Sequence, residues 1–140
     1  MVDQNMLTNF PLMAIALIVY NGIAFGLGGD ALTWQSGLFS LNMLSGAVWN
    51  FNLGDLMITF GLLLLFVEIL KATRVGKMSI IDHLLSTVVL IIFLVEFLLV
   101  PAASTSVFFA LMLMTLIDVM AGFSVSIRSA TRDVSLGDSF

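Results

Sequence analysis

Phe97–Ile117 carries no charged side chain, and neither does Gln4–Gly29. A bilayer core about 30 Å thick asks for about 20 predominantly apolar residues from each helix that crosses it. A soluble helix needs only an apolar stripe, with polar residues on its other face. Runs of this length therefore choose lipid as the solvent. The rest of the composition agrees: of 140 residues 60% are hydrophobic and 10% charged, with a mean hydropathy of +1.14. A soluble domain carries about 25% charged residues. The expectation is an all-α integral membrane protein, with residues 1–140 forming one polytopic domain.

Several classes fall away on the same grounds. The chain has no cysteine, which excludes disulfides and thiolate chemistry. Its five Lys and Arg residues do not make the basic face that phosphate binding requires, so nucleic acid is excluded as a partner. Met1–Asn5 lacks a positive n-region, and the first apolar run is read as a retained span rather than a signal peptide.

Four spans are predicted, at about 11–27, 55–72, 79–100 and 104–127. Residues 1–9 form a polar lead in which Asn9 can cap the first helix, with Pro11 tolerated in its first turn. In the first span Gly22 and Gly26 make a G-x-x-x-G that permits close helix approach, and Asn21 needs a polar partner on another helix. Asn52 and Asp55 have capping-box spacing at the start of the second span. Gly54, Gly61 and Glu68 recur every seventh residue along it, a pattern suited to a tight seam. Ser79 and Asp82 repeat the capping spacing for the third span. Only Pro101–Ala103 separates it from the fourth, so those two spans form an antiparallel hairpin. Residues 128–140 are expected to be a polar, mobile tail.

Between the first two spans, residues 31–52 are uncharged but interrupted by Gln35, Ser36, Gly37, Asn42, Gly46 and Asn50. Trp34 and Trp49 bracket the segment as interface anchors. It is expected to lie in, or dip partly into, the outer interface, the other option being a polar fifth span. Lys71, Arg74 and Lys77 follow the second span, and Arg128 and Arg132 follow the fourth. With four spans all five lie on one side, which the positive-inside rule makes the cytoplasm of a bacterial inner membrane.

Chemistry is confined to a few ionisable groups. An acid at mid-helix costs roughly 2.5–3.5 kcal/mol to insert, so each one calls for a reason. Glu68 stands three residues before Lys71, the spacing of an intrahelical ion pair. Ser104, Thr115, Asp118, Gly122 and Ser126 form a small and polar stripe on the fourth span. Asp118 is expected either to bond another helix through Asn21 or to bind a proton or cation. Glu96 lies near the outer end of the third span, about 12 Å further out than Asp118 at 1.5 Å per residue, with no basic side chain at its level. It is expected to snorkel, to be protonated, or to meet a partner.

The single His83 beside Asp82 cannot supply paired haem ligands, and no zinc spacing or phosphate loop exists. No cofactor, metal or enzymatic activity is expected. The function expected is a structural or accessory subunit that forms a homo-oligomer or joins a larger membrane complex. The alternative is a proton- or cation-conducting channel or ion-coupled transporter built on Asp118 and Glu96.

Overall fold

The computed structural model describes residues 10–28, 30–73 and 77–138, with the side chains of 77–79, 126 and 128–138 outside that description. Four helices hold most of the chain. They are α1 (Met13–Gly26), α2 (Leu53–Ala72), α3 (Lys77–Leu99) and α4 (Ser106–Asp138). Two 3-10 turns, Ala31–Gln35 and Pro101–Ala103, and two strands, β1 (Gly37–Asn42) and β2 (Val48–Asn52), complete the described elements. Three helices are long and apolar enough to cross a membrane, in windows Leu53–Ala72, Ile80–Leu99 and Ser106–Val125. The 14 residues of α1 give about 21 Å of helix at 1.5 Å per residue. That is less than the roughly 30 Å of a hydrocarbon core.

The helix starts follow local chemistry. Asn52 Oδ1 accepts from the Asp55 amide at 2.8 Å, and Asp55 Oδ2 accepts from the Asn52 amide at 3.1 Å, a complete capping box. Thr105 Oγ1 caps α4 by accepting from the Phe108 amide at 3.1 Å. Ser79 does not serve as the predicted cap, because α3 is already helical from Lys77. Asp82 thereby lies in the second turn and is free to reach another helix. The expected Asn9 cap lies outside the described residues.

One expectation is corrected. The chain is not all-α, since residues 37–52, within the segment expected to lie in or dip into the interface, form an antiparallel hairpin, which also rules out the fifth helical span. Its register pairs Phe39 with Phe51 and Leu41 with Trp49, which puts four large apolar side chains on one face. Gly46, at φ 89°, supplies the left-handed residue that the Met43–Ala47 turn needs. Phe39 and Phe51 stack at 4.8 Å and Trp49 meets Phe51 edge-on at 5.5 Å. Residues 128–138, expected as a polar tail, continue α4 as helix, with no glycine or proline before Gly137.

α4 is the centre of the bundle. It packs along both α2 and α3, which touch each other little, while α1 lies mainly over α2. Phe108, Leu111 and Thr115 of α4 are fully buried. The outer faces of α2 and α3 expose Leu62, Leu63, Phe66, Ile91, Leu98 and Leu99, an apolar surface of the kind that lipid or a partner covers.

Two of the predicted glycines mark where α2 meets α4. A Cβ on Gly54 would stand 2.8 Å from Val107, and one on Gly61 would stand 2.5 Å from Leu111 and 2.9 Å from Met114. Gly122 of α4 is pressed against the His83 ring. Gly22 and Gly26 differ: nothing lies within 4 Å of a Cβ at either. Gly61→Ala should therefore destabilise the protein by about 1–3 kcal/mol through overpacking. Gly22→Ala should be neutral or stabilising by up to about 1 kcal/mol. Thermal unfolding in detergent checks both, and equal effects would contradict this packing.

Candidate functional site

Burial away from water makes an ionisable side chain seek a partner, and Glu68, Lys71 and Asp82 find one another. Glu68 on α2 is 1% exposed, Asp82 and His83 on α3 are 5% and 4%, and Asp118 on α4 is 3%. Ser86 and Thr115 are buried among them. α1 closes the cluster from the side, through its first residues.

Lys71 supplies the positive charge. Its ammonium donates to the Phe10 carbonyl at 2.7 Å, to Glu68 Oε1 at 3.1 Å and to Asp82 Oδ1 at 3.4 Å. Three donors thus meet three acceptors from the lead into α1, from α2 and from α3. Glu68 Oε1 also accepts from the Leu12 amide at 2.6 Å. That amide is among the unpaired donors at a helix start, where a carboxylate is doubly favourable. The predicted Glu68–Lys71 pair is present, with a third member, Asp82, that sequence spacing did not connect to it.

Asp118 sits deeper, within charge range of Glu68, Asp82 and Lys71. Ser86 adjoins it, but their oxygens do not form a hydrogen bond of good geometry. Thr115 turns its hydroxyl back to the Leu111 carbonyl of its own helix at 2.9 Å. Four buried polar atoms of this one cluster have no hydrogen-bond partner among the described residues: Glu68 Oε2, His83 Nε2, Ser86 Oγ and Asp118 Oδ2. Orphans of this kind cost about 1–3 kcal/mol each when nothing fills the gap. No set of three or more His, Cys, Asp or Glu among the described residues is arranged to hold a metal ion.

The second expected contact is corrected. Asn21 does not reach Asp118; its amide donates to Glu96 Oε2 and to the Leu17 carbonyl, each at 3.1 Å. The reason is depth, since Asp118 lies level with Ser86, and Glu96 is ten residues or about 15 Å further along α3. Glu96 thus has a neutral partner from α1. Nearby, the Tyr20 hydroxyl bonds the Ala102 carbonyl at 2.8 Å and Thr105 Oγ1 at 2.7 Å. Its ring stacks on Trp34 at 4.5 Å.

The remaining candidates are scattered. Ser104 lines a cavity at the hairpin end. Trp34 is 3% exposed inside the fold, whereas Trp49 is 43% exposed on the hairpin. Arg74 and the side chains of Lys77, Ser126 and Arg128 lie outside the described residues. His83 and Ser86 are the members that sequence reasoning missed. The signal was present: Ser79, Asp82, His83 and Ser86 recur at helical spacing and make a polar stripe on α3.

Comparison of the chain with protein-family models, curated proteins and solved structures finds no match.

The ammonium's role is open to measurement. Lys71→Met leaves Glu68 and Asp82 buried together without a cation and should destabilise the protein by about 3–5 kcal/mol. Adding Glu68→Gln to it should recover part of that loss in detergent unfolding experiments. Full stability in Lys71→Met alone would contradict the network.

Proposed function

We propose that this chain is an integral membrane protein whose buried Asp118 cluster takes up and passes protons. The observation that carries the reading is the set of unpartnered buried oxygens on Glu68, Ser86 and Asp118. An ionised carboxylate only accepts hydrogen bonds. Glu68 Oε2 on α2 and Asp118 Oδ2 on α4 lack donors, and a proton supplies the donor that is missing. Glu68, Asp82 and Asp118 carry a formal charge of −3 against the +1 of Lys71. A proton or a monovalent cation bound there offsets the excess. The proton is favoured, because it supplies the hydrogen-bond donor that the unpaired carboxylate oxygens lack.

The proposed setting is a plasma membrane of bacterial type, crossed by α2, α3 and α4, with α1 as a fourth, tilted or shorter span. Lys71, Arg74, Lys77, Arg128 and Arg132 would lie on the cytoplasmic side. The hairpin would then lie at the outer surface, where the exposed Phe39 and Trp49, packed around the half-buried Phe51, suit the headgroup level.

A second reading is that the chain works as a subunit of a homo-oligomer or larger complex. The open side of α1 favours it, since Gly22 and Gly26 have space for the backbone of a neighbouring helix.

Proteoliposomes separate these readings. Purified protein should dissipate an imposed pH gradient, and Asp118→Asn should abolish that flux while leaving insertion and folding intact. Flux that appears in native membranes but not from purified protein would favour the subunit reading. Undiminished flux in Asp118→Asn would contradict the proton site.

A further inference from the structure

The α2–α4 seam joins two polar regions that the sequence keeps far apart. At its hairpin end lies a cavity of ≈ 330 Å³, walled in part by Gln35, Asn52, Asp55, Ser104, Thr105 and Ser106. Room of this size, with six polar side chains in a mixed lining, holds several waters. At the other end stand Glu68 and Asp118. The seven-residue repeat of α2 connects the two along one face. Gly54 borders the cavity and meets Val107, Gly61 meets Leu111 and Met114, and Glu68 lies within charge range of Asp118.

The middle of this line is apolar and closely packed. Leu111 is 0% exposed and Met114 6%, and both press onto Gly61 more closely than a Cβ would permit. Apolar constrictions can gate by excluding water. Methionine suits a moving element, because its unbranched thioether changes rotamer easily.

The charge pattern names what the cavity would take. Asp55 is the charged residue of its lining. From residue 10 to residue 70 the charged side chains are Asp30, Asp55 and Glu68, all acids. The nearest cation along α2 is Lys71, sixteen residues or about 24 Å from Asp55. That exceeds the roughly 8–10 Å over which charges act through physiological salt. Gln35, Asn52, Ser104, Thr105 and Ser106 add amide and hydroxyl oxygens able to accept from the water shell of a cation, beside the apolar walls of Trp34, Ile58 and Val107.

We infer that this cavity is a cation-attracting vestibule, and that Leu111 and Met114 over Gly61 form the gate between it and the Asp118 cluster. The inference rests on the proton-handling reading above and deepens it: protons reach the acids from the hairpin end, along the α2–α4 seam, when the plug moves. It assigns Asp55 the task of concentrating positive charge, and it makes the glycine at position 61 the floor on which the gate closes.

The chain contains no cysteine, so single-cysteine variants report access without background. Cationic and anionic methanethiosulfonates are applied to each membrane face of the full-length protein in liposomes, with rates normalised to those of a free thiol. Ser104→Cys should react from one face, about ten-fold faster with the cationic reagent. Asp55→Asn should bring that ratio close to one. Thr115→Cys should be silent from the same face, and should become reactive when Met114→Ala or Leu111→Ala is added. Two plug variants are used so that a folding defect in either one, seen by circular dichroism, leaves the other as the test.

A charge-blind Ser104→Cys overturns the vestibule. Thr115→Cys that reacts with the plug intact, or stays silent in both plug variants, overturns the gate. Proton flux measured in parallel separates this from the reading beneath it. Plug-dependent access without flux keeps the vestibule and gate but retires proton transport, whereas flux with silent Thr115→Cys keeps transport and retires this route.

Discussion

A single ammonium group ties three parts of this fold together. Lys71 holds the lead into α1 through Phe10, the end of α2 through Glu68 and the start of α3 through Asp82. Without it, two carboxylates would stand together in a medium that solvates neither. Breaking such a buried pair by removing one partner costs about 3–5 kcal/mol, a large share of the roughly 5–15 kcal/mol that keeps a domain folded. One cation offsets part of the cluster's formal charge and not all of it. Asp118 lies outside the reach of Lys71's three bonds. Its Oδ2 and the second oxygen of Glu68 have no hydrogen-bond partner among the described residues, which is the ground of the proposed proton site.

The helix packing is what places those oxygens. Small residues at every seventh position of α2 bring it close against α4, and the line they mark ends at Glu68. The same close approach carries the apolar layer of Leu111 and Met114 that isolates the acids from the hairpin end. Packing and polarity thus share one geometry: Gly61, which lets α2 approach α4, also seats the apolar layer of Leu111 and Met114. The Gly122–His83 contact performs the same service on the α3 side, drawing α3 and α4 together where Ser86 adjoins Asp118.

Much of this was legible in the sequence, for definite physical reasons. Long, predominantly apolar stretches point to the three long helices, because a helix in lipid does not need a polar face. Asn52 and Asp55 announced the start of α2, and the Gly54, Gly61, Glu68 repeat announced its buried side. The hairpin was missed although Phe39-Ser-Leu-Asn and Trp49-Asn-Phe-Asn alternate with the period of a strand; their polar residues were weighed as interruptions of a helix. Helix spacing relates residues within one helix and says nothing about register between helices. Asn21 was therefore matched with Asp118 instead of Glu96, and Asp82 was read as a cap instead of a partner of Lys71. Trp34 shows the same limit, since its ring packs on Tyr20 inside the fold. The continuation of α4 through residues 128–138 was hidden by polarity, which ends a membrane span without ending a helix.

The central claim is that a carboxyl group of the Asp118 cluster gains and loses a proton inside the folded protein. Infrared difference spectroscopy in lipid observes this directly, since a protonated carboxylic acid has its own carbonyl stretch, distinct from that of a carboxylate. The account predicts that a pH change applied to the wild-type protein switches such a band, and that the band is missing in Asp118→Asn. A spectrum in which no buried carboxyl changes with pH, or in which Asp118→Asn retains the full change, would contradict it.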